Sequence, residues 1–287
     1  MKIWKLHALG NHFVFVQHLD GLNYPELARL LSRTAVSVGS DGLLMIDCAV
    51  KPPRVRMWNP DGSEDFCGNG MCCAVHLLDR LGFGPVSKID TPYAAVPVRI
   101  EQIDRAQSQV TIEIGKGIFD PIQIPLAVSY ATPNSFGFDV SVAGETLQLV
   151  PLNNGNMHSV IFINELPEDD AFFRFSPLIE NHPLFPARTN VLWCVVRDGE
   201  IYMRIWERAV GETLACGTGS AAAVVASARA GIPLPESVQV IMRGGRAAVS
   251  LKPNTVALTT RVKLVFEGEL IQDISTALVA PRRPAIM

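Results

Sequence analysis

Short runs that are rich in β-branched residues or alternate between apolar and polar positions dominate the chain and predict a protein rich in β-sheet. The runs are bounded by Gly, Pro or Asp. In the first half they cover residues 2–6, 13–17, 43–48, 54–58, 96–100 and 110–114. In the second half they cover residues 138–142, 147–150, 159–163, 191–196, 201–206, 238–242 and 247–251.

Two glycine-containing dipeptides predict tight hairpins in the second half. Asp198-Gly199 separates the runs 191–196 and 201–206. Gly244-Gly245 separates the runs 238–242 and 247–251 in the same way. Such dipeptides accept the positive φ angles of two-residue hairpin turns, so we expect this half to be largely antiparallel.

Helical patterns are few, and three segments carry them. Pro25–Val36 has a first-turn proline after Asn23, which is typical of a helix start. The segments Cys67–Leu81 and Cys216–Ala230 are rich in small and apolar residues. Both of these begin at a cysteine.

An internal repeat relates the two cysteine segments. Residues 64–75, EDFCGNGMCCAV, align with residues 213–224, TLACGTGSAAAV, and both continue to an Arg-x-Gly sequence. A turn, a C-G-x-G motif and a helix therefore occur once in each half, which predicts a duplicated fold. The prolines at positions 121 and 125 mark the junction, and we expect domains at 1–118 and 119–263.

The repeated cysteines, Cys67 and Cys216, carry the chemistry that we expect. The positive end of a helix dipole favours a thiolate, and the glycines after it leave backbone N–H groups free to bind a carboxylate. If pseudo-symmetry brings the halves face to face, one thiolate could remove an α-proton while the other thiol protonates the opposite face. Two such motifs in register predict a two-base racemase or epimerase.

The other four of the six cysteines fit a packing role. Cys48 and Cys194 lie in apolar strand patterns, and Cys72 and Cys73 lie inside the first cysteine helix. Their spacing resembles neither a secreted disulfide framework nor a zinc site. We therefore predict reduced cysteines, no metal and no cofactor.

Composition and charge narrow the class of partner. The 287 residues are 48% hydrophobic, carry a net charge of −3 and contain no long basic cluster. These values exclude the usual electrostatic footprint of a nucleic-acid or anionic-membrane binder. With no apolar run of membrane-spanning length, we expect a soluble cytoplasmic protein with a small-molecule partner.

Seven ordered motifs resemble the diaminopimelate epimerase family over nearly the whole chain. They are GNHF at 10–13, GSDG at 39–42, NPDGSE at 59–64, CGNG at 67–70, GNMH at 155–158, FPARTNV at 185–191 and ERAVGETLACGTG at 207–219. The resemblance implies an α/β (α+β) fold of two pseudo-symmetric domains. Each would be a curled, mostly antiparallel sheet around a central helix, with residues 264–287 returning to the first domain.

The same resemblance implies the activity and the roles of the site residues. The reaction would be cofactor-independent epimerisation of LL-diaminopimelate to the meso form, in lysine and peptidoglycan precursor synthesis, by a homodimer. The implied catalytic residues are Cys67, Cys216, His158 and Glu207. The implied substrate-binding residues are Asn11, Asn59, Gly68, Asn69, Asn156, Asn190, Glu207, Arg208, Gly217 and Thr218.

Three departures from the family pattern leave the substrate open. The family usually has arginine at the position of Cys72, proline at Met157 and glycine at Ala209. One alternative is therefore a related racemase of another amino acid, such as histidine. Another is a redox-sensing protein in which Cys67 and Cys216 form a reversible disulfide.

Overall fold

The computed structural model describes residues 1–271 together with residues 273 and 274. It divides into two compact units. The first comprises Met1–Val110 and the described residues from Arg261 onward, and the second comprises Thr111–Thr260. The domain limits expected from the sequence, 1–118 and 119–263, stay a prediction. Of the segment expected to return to the first domain, residue 272 and residues 275–287 lie outside the described part.

The first unit contains two helices, α1 (Tyr24–Leu31) and α2 (Gly68–Arg80). Its strands are β1 (Lys2–Ala8), β2 (Asn11–Gln17), β3 (Gly42–Asp47), β4 (Arg54–Trp58), β5 (Glu64–Asp65), β6 (Lys88–Asp90), β7 (Ala95–Gln102) and the start of β8 (Gln107–Gly115).

The second unit also contains two helices, α3 (Asp169–Glu180) and α4 (Gly217–Arg229). Its remaining strands are β9 (Thr132–Pro133), β10 (Phe138–Val142), β11 (Glu145–Asn153), β12 (Met157–Phe162), β13 (Asn190–Arg197), β14 (Glu200–Glu207), β15 (Gly211–Thr213), β16 (Ser237–Met242), β17 (Gly245–Leu251) and the start of β18 (Thr255–Glu269).

The two units share one order of pairing. In the first, β1 and β2 are antiparallel, β2 and β3 are parallel with α1 between them, and β3, β4 and β5 continue antiparallel into α2. In the second, β11 to β15 repeat this order, with α3 between the parallel strands β12 and β13 and with α4 after β15. The predicted α+β fold with two pseudo-symmetric, mainly antiparallel halves is confirmed.

The two cysteine helices are the central elements of their units. Every residue from Gly68 to Leu78 in α2 is buried, as is every residue from Gly217 to Ser227 in α4. Strands of the same unit surround each helix: α2 contacts β1, β2, β3, β4 and β7, whereas α4 contacts β11, β12, β13, β14 and β17. A helix that is buried on all sides needs small and apolar residues all round, which explains the composition of both segments.

The outer helices α1 and α3 complete the core of each unit. On α1, Leu27 and Leu31 are fully buried, and the ring of Tyr24 stacks on Trp58 at a centroid distance of 4.8 Å. On α3, Phe172 and Ile179 are fully buried within a cluster that includes residues of β10, β12 and β13.

Several details of the sequence prediction were wrong, and strand β18 (Thr255–Glu269) was not among the predicted runs. Helix α1 ends at Leu31 rather than Val36, because the N–H of Gly39 donates to the Leu31 carbonyl, which a longer helix would need. Helix α3 was missed altogether. The second hairpin turns at residues 243 and 244 rather than 244 and 245, since Met242 pairs with Gly245. The first hairpin is confirmed, with φ of 54° at Asp198 and 77° at Gly199.

None of the helices in the part of the chain that the structure describes combines the length and apolar character that a membrane span requires.

Candidate active site

Cys67 and Cys216 occupy the same position in the two units. Each is the N-cap residue of its central helix, with φ and ψ of −129° and 117° at Cys67 and −132° and 115° at Cys216. Because the N-cap backbone is extended and the next residues are helical, the first N–H groups of each helix lie on the same side as the cysteine. The aligned C-G-x-G motifs therefore correspond to one local structure, formed twice.

In the first unit, Asn11 lies beside the thiol. Its side-chain N–H donates to Asp41 at 2.8 Å, which directs its amide oxygen away from the carboxylate. That oxygen accepts from the Cys67 thiol at 3.4 Å and from the Asn69 side chain at 3.4 Å. Cys67, Asn69 and Asn11 thus form one group, anchored by Asp41. Asp41 lies in the GSDG motif but was not among the predicted site residues.

Asn59 lies immediately after β4, in the turn before β5. Its side chain donates to the Ser63 hydroxyl at 3.1 Å and to Asp65 at 3.3 Å. Within the described residues these bonds fix Asn59 in its own turn rather than joining it to the group around Asn11.

In the second unit, the Cys216 sulfur accepts a hydrogen bond from the N–H of Gly219 at 3.3 Å. The Thr218 hydroxyl lies 3.4 Å from the same sulfur. The side chain of Asn154, buried beside this turn, donates to the Thr218 carbonyl at 2.9 Å and so braces the first helical turn. An N–H donor favours the ionised form of a thiol.

Both helix starts can bind an anion. The first residues of α2 are Gly68 and Asn69, and those of α4 are Gly217 and Thr218. Helix geometry leaves these N–H groups without intrahelical acceptors, and the helix dipole adds positive potential at the same place. Gly68 and Gly217 have no side chain, so a carboxylate can approach the backbone closely at these two positions.

His158 lies on β12, beside Asn190 on the parallel strand β13. It is fully buried, and both ring nitrogens lack a hydrogen-bond partner among the described residues. Burial, and secondarily the charge of Arg208, lower the pKa of His158 to about 3. The imidazole is therefore neutral at physiological pH.

Asn190 joins the segments that carry the other predicted residues. Its side-chain N–H donates to the Met157 carbonyl at 2.9 Å, and its amide oxygen accepts from the N–H of Arg208 at 2.8 Å. Next to Arg208, Glu207 accepts from the Thr213 hydroxyl at 2.7 Å. Asn190 thus sets the spacing between the strand with His158 and the turn with Arg208.

A cavity of about 170 Å³ lies in the second unit beside this turn. Its polar lining includes Asn156, Arg188 and Arg208. Apolar side chains complete the wall, among them Met157 and Phe185. The cavity can therefore hold a carboxylate against an apolar surface. Arg188 was not among the predicted site residues.

Met157 changes the hydrogen bonding of the predicted Asn156. The Met157 N–H donates to the Asn156 amide oxygen at 2.9 Å. Proline, the usual family residue here, has no N–H, so the departure orients Asn156 by a bond that proline cannot make.

An Arg–Glu ion pair joins the two strands that precede each cysteine, once in each unit. Arg56 on β4 bonds to Glu64 on β5 through two contacts of 2.6 Å. Arg204 on β14 bonds to Glu212 on β15 at 2.8 and 3.3 Å. Each glutamate precedes a cysteine by three or four residues, and each pair is eight residues apart in sequence. Neither pair was predicted from the sequence, although the glutamates belong to the NPDGSE and ERAVGETLACGTG motifs.

The remaining cysteines lie away from the helix starts. Cys72, Cys73 and Cys194 are fully buried, and burial raises the pKa of each thiol. Cys48 follows β3 and is partly buried, with a pKa raised to about 11 by burial and by Asp47. All four thiols are protonated at neutral pH, as the packing interpretation expects.

The last glycines of the two motifs differ in what surrounds them, which gives a matched pair of variants. An added Cβ at Gly219 would lie 3.2 Å from the Cys216 sulfur, whereas one at Gly70 would lie 3.2 Å from a Leu44 methyl group. We expect Gly219→Ala to lower kcat by about tenfold by displacing the thiol. Gly70→Ala should affect mainly stability, because a leucine methyl can move. Equal loss of kcat in both variants would contradict this expectation. Thermal melts of the two variants measure the change in stability separately.

Comparison with known proteins agrees with the geometry. The family model for diaminopimelate epimerase matches residues 3–118 and 150–265. A diaminopimelate epimerase from Desulfitobacterium hafniense is 35% identical, covering 95% of this chain and 99% of that protein. One from Halothermothrix orenii is 33% identical, covering 94% and 98%.

Solved structures show the same fold at low identity. A predicted epimerase from Pseudomonas aeruginosa superposes with a TM-score of 0.67 at 14% identity, covering 95% of this chain and 99% of that chain. A probable proline racemase from Agrobacterium radiobacter gives 0.65 at 15% identity, covering 95% and 93%. With two halves of matching architecture, a cysteine capping each central helix and full-length similarity to its members, the chain belongs to the diaminopimelate epimerase family.

Proposed function

We propose that the chain is an isomerase that epimerises LL-diaminopimelate to meso-diaminopimelate, with Cys67 and Cys216 as the two acid–base groups. One observation carries the proposal: a cysteine caps the buried central helix of both units with nearly the same backbone angles. Full-length similarity to diaminopimelate epimerases supports the substrate.

The reaction needs one proton removed and one returned. A thiolate takes the α-proton and becomes a thiol, and the electron pair of the broken C–H bond remains on the α-carbon, delocalised into the carboxylate. The second thiol then gives its proton to the opposite face and becomes a thiolate. The two cysteines have exchanged protonation states at the end, so the next turnover of the opposite isomer uses them in reverse.

The local contacts favour different resting forms for the two cysteines. Cys67 donates to the amide oxygen of Asn11, a bond that only the thiol can make. Cys216 accepts from the Gly219 N–H, which stabilises a thiolate. We assign Cys216 as the resting base and Cys67 as the resting acid.

Backbone N–H groups supply the electrostatic stabilisation in this mechanism. Gly68, Asn69, Gly217 and Thr218 would bind the substrate carboxylate, on which negative charge grows as the carbanion forms. His158, as a neutral imidazole, and Glu207 would help to set the protonation states of the two thiols. No step calls for a metal ion or a pyridoxal cofactor.

The far end of the substrate would bind in the second-unit cavity. Arg208 suits its carboxylate, and Asn156 suits a polar amino-acid end through its amide. Asn190, which the resemblance also assigns to this end, holds the backbone N–H of Arg208. The resemblance to the family also assigns Asn11, Asn59 and Glu207 to the binding of this end. A small-molecule amino acid is thus the proposed partner, with a homodimer in the cytoplasm as the proposed state.

A second candidate is racemisation of another amino acid within the same scaffold. Met157 favours it, because this departure from the family pattern lines the cavity. Such a substrate would lack the distal carboxylate that Arg208 is placed to bind.

Proton exchange in D₂O tests both candidates. Reduced protein with LL-diaminopimelate and no added cofactor is expected to replace the α-proton by deuterium and to form the meso isomer, both followed by NMR. A panel of single-centre amino acids, including histidine, is run beside it. Absence of exchange with diaminopimelate, from folded and reduced protein, would reject this substrate, and exchange with a panel member would select the second candidate.

A further inference from the structure

Glu180 is a buried carboxylate outside the predicted site, with three donors converging on it. It is the last residue of α3, and its side chain is only 7% exposed. It accepts from the indole N–H of Trp206 at 2.7 Å, from the backbone N–H of Ala209 at 2.8 Å and from the Arg188 guanidinium at 3.3 Å.

Local rules disfavour a carboxylate at this place. The C-terminus of a helix carries negative potential, which repels a negative side chain. Burial adds a desolvation cost, which only well-placed donors offset. The groups that Glu180 binds therefore indicate what its carboxylate contributes.

What it holds are two strained turns beside the cavity. Arg188 has a φ of 60° and Ala209 a φ of 64°, a left-handed conformation that residues with a Cβ adopt at a cost. Arg188 lines the cavity itself, and Ala209 follows the cavity residue Arg208. One carboxylate thus bonds to the backbone of one turn, at Ala209, and to the side chain that extends from the other, that of Arg188.

The bond to Ala209 also accounts for a departure from the family pattern. Glycine, the usual residue there, takes positive φ readily, whereas alanine does not. Because Glu180 receives the Ala209 N–H, it holds the turn in a conformation that the residue itself resists. Arg208, the residue before Ala209, is itself held by two bonds, from its N–H to Asn190 at 2.8 Å and from its guanidinium to the Ala187 carbonyl at 3.2 Å, so the Glu180 bond adds a third constraint on the same turn.

We propose that Glu180 is a positioning residue that sets the Arg208 guanidinium for the distal carboxylate of the substrate. It does not line the cavity, and it acts through its bonds to the Ala209 backbone and the Arg188 side chain. The inference rests on the proposed function, because the role of Arg208 belongs to that function.

Kinetics of the full-length protein on LL-diaminopimelate test the proposal. Glu180→Ala is expected to raise KM by about tenfold and to change kcat by less than about threefold, because the cysteines are untouched. Glu180→Gln should raise KM less, because its amide oxygen can still accept from the Ala209 N–H. Its NH₂ group would face the Trp206 N–H, so that one hydrogen bond is lost. Ala209→Gly in the Glu180→Ala background should recover part of the loss.

A double-mutant cycle separates positioning from general destabilisation. If Glu180 acts through Arg208, adding Glu180→Ala to Arg208→Ala changes KM little beyond the single Arg208→Ala variant. Glu113→Gln is the matched control, since Glu113 bonds to Lys252 and Thr255 in the same unit and does not line the cavity. Its KM should equal that of the wild type.

Each outcome has one meaning. A wild-type protein inactive on diaminopimelate rejects the proposed function. An active wild type with unchanged KM in the Glu180 variants, or additive effects of Glu180→Ala and Arg208→Ala, overturns the positioning role. If Glu180→Ala does not fold, Glu180→Gln carries the same comparison.

Discussion

Replacing Cys67 or Cys216 by serine is expected to lower kcat for epimerisation by about 10³-fold. A serine hydroxyl is far less acidic than a thiol, so neither proton removal nor proton return proceeds at a useful rate through it. The two variants should lose inversion equally, because a full turnover uses both groups. Both losses are measured as formation of the meso isomer from LL-diaminopimelate.

The two variants should differ in proton exchange. With one thiol left, the thiolate can still remove the α-proton of the isomer that faces it and return deuterium to the same face. Exchange in D₂O without inversion is therefore expected, and for opposite isomers in the two variants. Cys48→Ser is the control, since that thiol is protonated and lies after β3. Inversion at the wild-type rate in either site variant would refute a two-base mechanism.

Acid should destabilise the protein through His158, by up to about 5 kcal/mol between pH 6.5 and pH 3. Its pKa is about 3 in the folded state, whereas an unfolded chain has the ordinary value of about 6.5. Between these values the unfolded state binds more protons. The free energy of unfolding is therefore unaffected above pH 6.5 and falls as the pH falls from 6.5 towards 3.

The variant His158→Gln isolates this contribution. Denaturant unfolding of both proteins at several pH values gives the difference in free energy of unfolding, in which the shared carboxylate titrations cancel. We expect the wild type to lose about 2 kcal/mol relative to the variant between pH 7 and pH 5. A difference that does not change with pH would mean that His158 is solvated or paired in the folded protein.

The internal repeat predicted the duplicated fold and the two central helices. Two C-G-x-G motifs in register placed Cys67 and Cys216 at helix starts, and the structure has both as N-caps. Extending the repeat to the outer helices predicts α3, because α1 lies between β2 and β3 and α3 lies at the matching place between β12 and β13. Phe172, Phe175 and Ile179 have helical spacing, but Pro177 inside the segment obscured it.

Sequence alone predicted the chemistry that we propose for this protein, because a thiol, the glycines after it and the helix they open are neighbours along the chain. Only the tertiary structure decided which groups support that chemistry. The Arg–Glu pairs depend on the register between adjacent strands, which hydrophobic alternation leaves open. The pKa of His158 depends on complete burial, and the role of Glu180 depends on three donors from distant segments meeting at one carboxylate. Such properties arise from contacts between residues far apart in sequence, which no local pattern encodes.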